Sequence, residues 1–114
     1  MNDCLFCKII AGTIPAKLVH QDDRAIAFRD INPQAPTHVL IVPRQHIASI
    51  NDLSEADTPL VGHLHLVAQK LAQAEGIASS GYRVLFNTGP QAGQTVSHIH
   101  LHLLGGRALG WPPG

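Results

Sequence analysis

The 114-residue chain carries no net charge, because eight Lys and Arg balance eight Asp and Glu. That balance excludes the chain-wide basic field by which proteins collect nucleic acid or anionic membrane. Missing too is any apolar run near the roughly 20 residues of a membrane helix. The start, MNDCLFCKII, lacks the basic segment and cleavage region of a signal peptide. The expectation is a cytoplasmic protein with neither membrane nor nucleic acid as partner. Internal repeats and low-complexity segments are absent, and the length predicts one domain spanning 1–114. Cysteine is scarce: two residues, both in CLFC, residues 4–7. In a cytosolic setting that C-x-x-C reads as metal or redox before structural disulfide. No thioredoxin-like βαβ context follows it, which weakens the redox reading. Finally, residues 76–114 contain no Asp or Glu at all.

What the chain has in excess is histidine, eight residues, as many as Lys and Arg together. Three of them, His98, His100 and His102, alternate with aliphatic residues in QTVSHIHLHLLGG, residues 94–106. On a strand that alternation puts the imidazoles on one face and Ile99, Leu101 and Leu103 on the other. A helix would scatter them. The spacing therefore predicts a strand with one packed face and one face given to imidazole chemistry.

The rest of the chain divides readily. CLFCKIIAG predicts a short helix with Leu5, Ile9 and Ile10 on one side and Gly12 as its stop. IPAKLVHQ leads into a strand, and the DDR turn at 22–24 pairs it with AIAFRDI as a hairpin. After the proline-bounded loop NPQAP, THVLIVP reads as a central strand ending at Pro43. Ser54 and Asp57 resemble a capping box ahead of a long helix, with Leu60, Leu64, Val67, Ala68 and Leu71 at helical spacing up to Gly76. YRVLFN, residues 82–87, is another strand, and TGPQAGQTVS, residues 88–97, is a glycine-rich loop feeding the histidines. Hairpin-linked strands with separate helices predict an α+β fold on an antiparallel sheet.

Three readings of the histidine cluster compete: a polar sheet face, a metal site, or nucleophilic catalysis by one imidazole oriented by its neighbours. The preceding loop favours the last. Gly89 and Gly93 can turn successive N–H groups toward an anion, and Asn87, Gln94, Thr95 and Ser97 add donors. A metal hydrolase would want carboxylates nearby, and residues 76–114 have none. Of the remaining histidines, His63 and His65 lie on different faces of the long helix, and His20 reads as a strand surface residue; none is given a role.

HIHLHLL matches the His-φ-His-φ-His-φ-φ pattern of the histidine triad superfamily, φ being apolar. The resemblance extends through FCKIIAGTIPAKLVHQDDRAIAFRDINPQAPTHVLIVPRQHI, GHLHLVAQKLA, GYRVLFNTGPQAGQTVSHIHLHLLGGR and the terminal WPPG. Together they resemble the Hint branch, the purine nucleoside phosphoramidases. The resemblance implies a five-stranded antiparallel sheet with one long and one short helix, continued across a homodimer. His100 would be the nucleophile attacking the α-phosphorus of a purine nucleoside phosphoramidate such as AMP–lysine, giving a nucleotidyl-histidine that water hydrolyses. An imidazole of free pKa near 6.5 suits that role. His102, Asn87, Thr95, Gln94 and the Gly93 backbone would hold the phosphate, and His38 would help to relay protons. Asp30 would take the ribose hydroxyls, and Phe6, Ile9, Ile14, Phe28, Ile31 and Leu40 would line the base pocket. For Ile9, Ile31 and Leu40, a plain core role is an equal reading.

Two positions depart from the best-known Hint pattern: Thr95 stands where serine is frequent, and Arg29 where eukaryotic relatives carry His. The C-x-x-C is a third. In zinc-binding relatives such a pair resembles Cys4 and Cys7 joined by His46 and His98, a structural Cys2His2 zinc site that leaves catalysis at the phosphate metal-free. The resemblance further implies that the GWPPG tail reaches toward a partner's site, with Trp111 influencing substrate choice. A dinucleoside polyphosphate hydrolase and a non-enzymatic nucleotide- or zinc-binding module are the alternative functions.

Overall fold

The computed structural model of the chain describes residues 3–114. Helix α1 (Leu5–Ile10) is followed by strands β1 (Leu18–Gln21), β2 (Ala25–Arg29) and β3 (Thr37–Pro43), helix α2 (Thr58–Ala74), then β4 (Tyr82–Leu85) and β5 (Leu101–Gly105). All strand pairs are antiparallel, in the order β1-β2-β3-β5-β4.

The period-two alternation of the strands sorts their side chains onto two different jobs. Ala25, Ala27, Val39, Ile41, Leu101 and Leu103 pack against Leu64, Val67, Ala68, Leu71 and Ala72 of α2. Ile26, Phe28, Leu40 and Val42 face the other way and pack with Phe6 of α1. Both faces of β2 and β3 are thus covered, which is why THVLIVP is buried throughout. Leu64, Leu101 and Leu103 are wholly inaccessible, and truncating such a side chain to alanine costs about 2–5 kcal/mol. Because α2 takes one face of the sheet, the imidazole face of β5 is left to α1 and the loops.

Helix α1 has one buried residue, Phe6; Leu5, expected on its packed side, is 43% exposed. Six residues are too few for a helix to hold itself together, so its position depends on Phe6 and on its N-terminal cysteine. Helix α2 begins as expected: the Ser54 N–H donates to Asp57 Oδ2 at 2.9 Å in a capping box, through one 3₁₀ turn. Two polar clamps fasten α2 to the sheet. At its C-terminal end Glu75 takes both Arg29 nitrogens, at 2.8 and 2.9 Å, and the guanidinium holds the Glu75 carboxyl below the usual carboxylate range.

At the other end, Asp22 in the β1–β2 turn accepts His20 Nε2–H and His63 Nε2–H, each at 2.7 Å, on Oδ2. Its Oδ1 accepts the Arg24 and Ala25 amides at 2.8 Å. His20 and His63, given no role from sequence, therefore meet at one carboxylate and tie hairpin to helix. Among the described residues no helix is long and apolar enough to cross a membrane.

Candidate active site

The histidine segment departs from the expected continuous strand. Regular pairing in β5 starts at Leu101, so of the three histidines His102 alone lies within the strand. Two hydrogen bonds draw the segment out of the ladder. The Ile99 amide is drawn to Ile47 O at 2.7 Å, and His100 Nδ1–H folds back onto the His98 carbonyl at 2.7 Å. The alternation of faces survives nonetheless: Ile99, Leu101 and Leu103 are buried, and the imidazoles gather on the α1 side.

That hydrogen bond decides the chemistry of His100. With the proton on Nδ1 engaged by a carbonyl, the neutral ring keeps its lone pair on Nε2. Burial pushes its pKa below the ordinary imidazole value, against the pull of the His98 carbonyl and Asp30. The Phe6 ring meets it edge-on at 4.9 Å. His102 lies next to it, ring centroids 5.0 Å apart. Burial, with His100 and His38 beside it and Asp30 opposing, pushes His102 down to about 4. Its Nδ1 meets His38 Nε2 at 2.9 Å, while its Nε2 is buried with no partner among the described residues. His102 itself lines a cavity, and a buried polar atom calls for a hydrogen-bond partner. Asp30 Oδ2 lies 3.4 Å from His38 Nε2, and burial holds His38 below the usual imidazole range as well.

These groups open onto a cavity of about 350 Å³. Its polar lining includes His100, His102, Asn87, Thr95 and Asp30, with Gly93 and Ile31 also on the wall. Phe6, Ile9, Ile14, Phe28 and Leu40 form the apolar remainder. Leu5, Pro15, Ala16 and Val96 also contribute, and nothing in their sequence context distinguishes them from ordinary packing residues. Ile31 is fully exposed, a rim residue rather than core. A wider depression of about 620 Å³ continues past Asp30 toward Lys17, Pro33, Pro36 and His38.

The loop behaves differently from the expected anion nest. Gly89 and Gly93 do take positive φ, both 81°. Yet the Gly93 and Gln94 amides are donated to Pro90 O and Gly89 O, and the Gly89 amide to Gln94 Oε1 at 3.1 Å. Gln94 is outside the cavity wall; its amide bridges Ala48 O and Val96 O and fixes the loop from behind. The amides of this tight loop are satisfied by its own acceptors, two backbone carbonyls and the Gln94 side-chain oxygen, rather than aimed together at an anion. Arg29, next to Asp30, is turned to Glu75.

On the far side of His98, four donors converge. Cys4 Sγ and Cys7 Sγ lie 3.3 and 3.5 Å from His98 Nδ1, His46 Nδ1 lies 3.4 Å from Cys7 Sγ, and the two Nδ1 atoms are 3.1 Å apart. All four ligand atoms fall within 4.8 Å of one another. His98 is fully buried and donates Nε2–H to Pro43 O at 2.8 Å, so the lone pair of Nδ1 faces the sulfurs. Tetrahedral arms of zinc–nitrogen and zinc–sulfur length have edges of about 3.4–3.8 Å. The donor set and its spacing fit a closed S2N2 metal site. The metal-ready Nδ1 and the His100-binding carbonyl belong to the same residue, His98.

Comparison with known proteins agrees with this geometry. Residues 3–109 match the family described as "Scavenger mRNA decapping enzyme C-term binding". The chain is 52% identical over 109 residues to a purine nucleoside phosphoramidase of Escherichia coli, covering 96% of this chain and 92% of that protein. It is 51% identical over 113 residues to an uncharacterized HIT-like protein of Synechococcus elongatus, covering 99% and 98%. A HIT family hydrolase from Legionella pneumophila superposes with a TM-score of 0.97 at 57% identity, covering 98% of this chain and all of that one. A histidine triad protein from Clostridium difficile gives 0.93 at 44% identity, covering 96% of each. On fold, motif and near end-to-end likeness, the chain belongs to the histidine triad family.

Proposed function

We propose that the chain hydrolyses purine nucleoside 5′-phosphoramidates, AMP–amine and AMP–lysine type, as a Hint-branch enzyme. The observation that carries this reading is the pairing of a bare His100 Nε2 with an unpartnered His102 Nε2, on two residues that line a nucleoside-sized cavity. The 52% identity to a purine nucleoside phosphoramidase supports the choice of bond.

The base packs against the apolar wall formed by Phe6, Phe28, Ile9, Ile14 and Leu40, and Ile31 covers its exposed edge. Asp30 accepts the ribose hydroxyls. His102 Nε2–H, Asn87 and Thr95 hold the phosphate oxygens. His100 Nε2 attacks phosphorus while its Nδ1–H stays on the His98 carbonyl, which stabilises the charge gained on the ring. The P–N bond breaks and the amine leaves with a proton taken from water at the cavity mouth. A water then attacks the nucleotidyl-histidine, returns that proton, and releases the nucleoside monophosphate. Overall one water is consumed and His100 is restored.

Cys4, Cys7, His46 and His98 would hold a zinc ion, which when bound supplies a structural staple with all four positions filled by protein. Paired thiols kept reduced for a metal fit the cytoplasm. A homodimer, the two sheets joined into one and each tail laid toward the other's cavity, would cover what a single chain exposes. Trp111 is 83% and Tyr82, on edge strand β4, 38% accessible; sedimentation reads one chain or two.

The deciding experiment is turnover of an AMP–amine phosphoramidate, without added metal, by wild type and His100→Ala. Rapid AMP release by the wild type and a loss of at least about 10³-fold in the variant is the expected outcome. Equal rates would remove His100 as nucleophile. Faster cleavage of a dinucleoside polyphosphate than of the phosphoramidate would move the reading to an anhydride hydrolase.

A further inference from the structure

The His38–His102 pair resembles a proton relay, but a main-chain group behind it points elsewhere. The Gln34 amide donates to His38 Nδ1 at 3.0 Å. A peptide N–H has one role only, donor, so His38 Nδ1 is an acceptor and the proton of the neutral ring is on Nε2. That nitrogen faces His102 Nδ1 at 2.9 Å, with the Asp30 carboxylate 3.4 Å away favouring a proton at the same place. His102 Nδ1 must then be the acceptor, and its own proton is on Nε2, the atom left without a partner on a residue that lines the cavity.

We propose that the Gln34 main-chain amide, acting through His38, locks His102 as a neutral Nε2–H donor to the substrate phosphate. His38 is then a positioning residue, not a relay. It has no second proton to pass on, since losing Nε2–H would leave an imidazolate and Nδ1 already receives a hydrogen bond. A proton added at His102 Nδ1 would meet the Nε2–H of His38 head-on. The pair thus has one arrangement in which every hydrogen has an acceptor. The same amide disqualifies Asp30, His38 and His102 as metal ligands, although their ligand atoms lie within 4.8 Å of one another, because the His38 nitrogen facing the others bears a proton.

The amide is itself held in place. Gln34 Nε2 donates to Asn32 O at 2.9 Å, the Asn32 amide to Asp30 Oδ1 at 2.8 Å, and Arg107 Nε to Gln34 O at 3.0 Å. Arg107 leaves the end of β5 through Gly106, whose added Cβ would fall 2.9 Å from Pro36 Cβ, so the two ends of the site are closely keyed. The inference rests on the phosphate reading of the cavity, but the proton positions can be tested without any substrate.

The experiment is imidazole ¹⁵N NMR of the free wild-type protein, Gln34→Pro and Gln34→Ala at pH 7.5, with turnover measured in parallel. In the wild type, His38 and His102 should each show a single Nε2–H tautomer. Gln34→Ala keeps the amide and should keep both tautomers. Gln34→Pro removes the N–H and should give mixed tautomers at both rings, with kcat on the order of tenfold lower. A wild-type spectrum with the His102 proton on Nδ1, or shared between its nitrogens, overturns the proposal even if Gln34→Pro fails to fold. So does Gln34→Pro with unchanged tautomers. Locked tautomers in a protein that does not cleave phosphoramidates would leave the lock standing and remove the function.

Discussion

Asp30 has two neighbours with different claims on it: Oδ1 accepts the Asn32 amide and Oδ2 faces His38. The remaining lone pairs are what a ribose would find. Asp30→Ala should therefore raise KM for an AMP phosphoramidate about ten- to hundredfold, the range for hydrogen bonds to a charged acceptor. The decisive control is a 2′,3′-dideoxy substrate, on which wild type and variant should differ little; an equal penalty on both substrates would mean that Asp30 acts only through His38. At this scale the sequence was legible in what it contained and opaque in what each residue does. His98, His100 and His102 are identical letters in an even spacing. They part company because Pro43 O holds the Nε2–H of His98, the His98 carbonyl holds the Nδ1–H of His100, and His38 Nε2 meets the Nδ1 of His102; Pro43 and His38 come from β3, and no local pattern reports them. Gln94 is the converse, a donor by type whose amide is used to hold the loop.

Helix α1 shows how an element borrows its stability. One buried side chain and six residues do not sustain a helix, yet this helix carries Phe6 and Ile9, which line the cavity. The convergence of Cys4 and Cys7 on His46 and His98 supplies the anchor. Cys7→Ser should lower Tm by several degrees, consistent with about 4–8 °C per kcal/mol in a chain of this size. It should also raise KM more than it lowers kcat, because His100, His102, Asn87, Gly93 and Thr95 come from β5 and the segments before it and not from α1. A strong chelator should bring the wild type to the variant's Tm and leave the variant unchanged; a wild type indifferent to chelator would remove the metal from this account. The elements themselves were largely readable. Capping box, hairpin turn and aliphatic runs gave five strands and two helices close to their observed bounds. The strand start at Leu101 was not, since it depends on the Ile99 amide finding Ile47, a contact fixed only after the whole sheet is in place.

For the molecule as a whole, balanced charge conceals an uneven response to acid. Burial alone would push the Asp22 carboxyl up. Hydrogen bonds from His20, the Arg24 amide, His63 and the Ala25 amide outweigh it and hold the group well below the usual carboxylate range. A carboxyl depressed in the folded state stabilises it fully above the unfolded value, about 3.9, and loses that contribution as pH falls. His102, at about 4 when folded, adds a loss over a higher window, because the unfolded chain gains a proton below about 6.5 that the folded chain refuses. Urea midpoints should therefore fall from pH 7 toward pH 4 and again below it. Asp22→Asn should be less stable at neutral pH and lack the lower step; a step of equal size in that variant would contradict the assignment. The Asp22 latch could not be foreseen, as His20 and His63 are 43 positions apart and meet only when hairpin and helix pack. One further consequence follows from the pairing of β3 with β5. His38 and His102 are 64 positions apart and touch only across that pair, whose closure is the costly, long-loop step of assembly. A chain still emerging from synthesis holds His38 and the hairpin early but has neither His100 nor His102 and no complete cavity. It is chemically silent until its last strand is laid down, and then acquires binding and reactivity in one stroke.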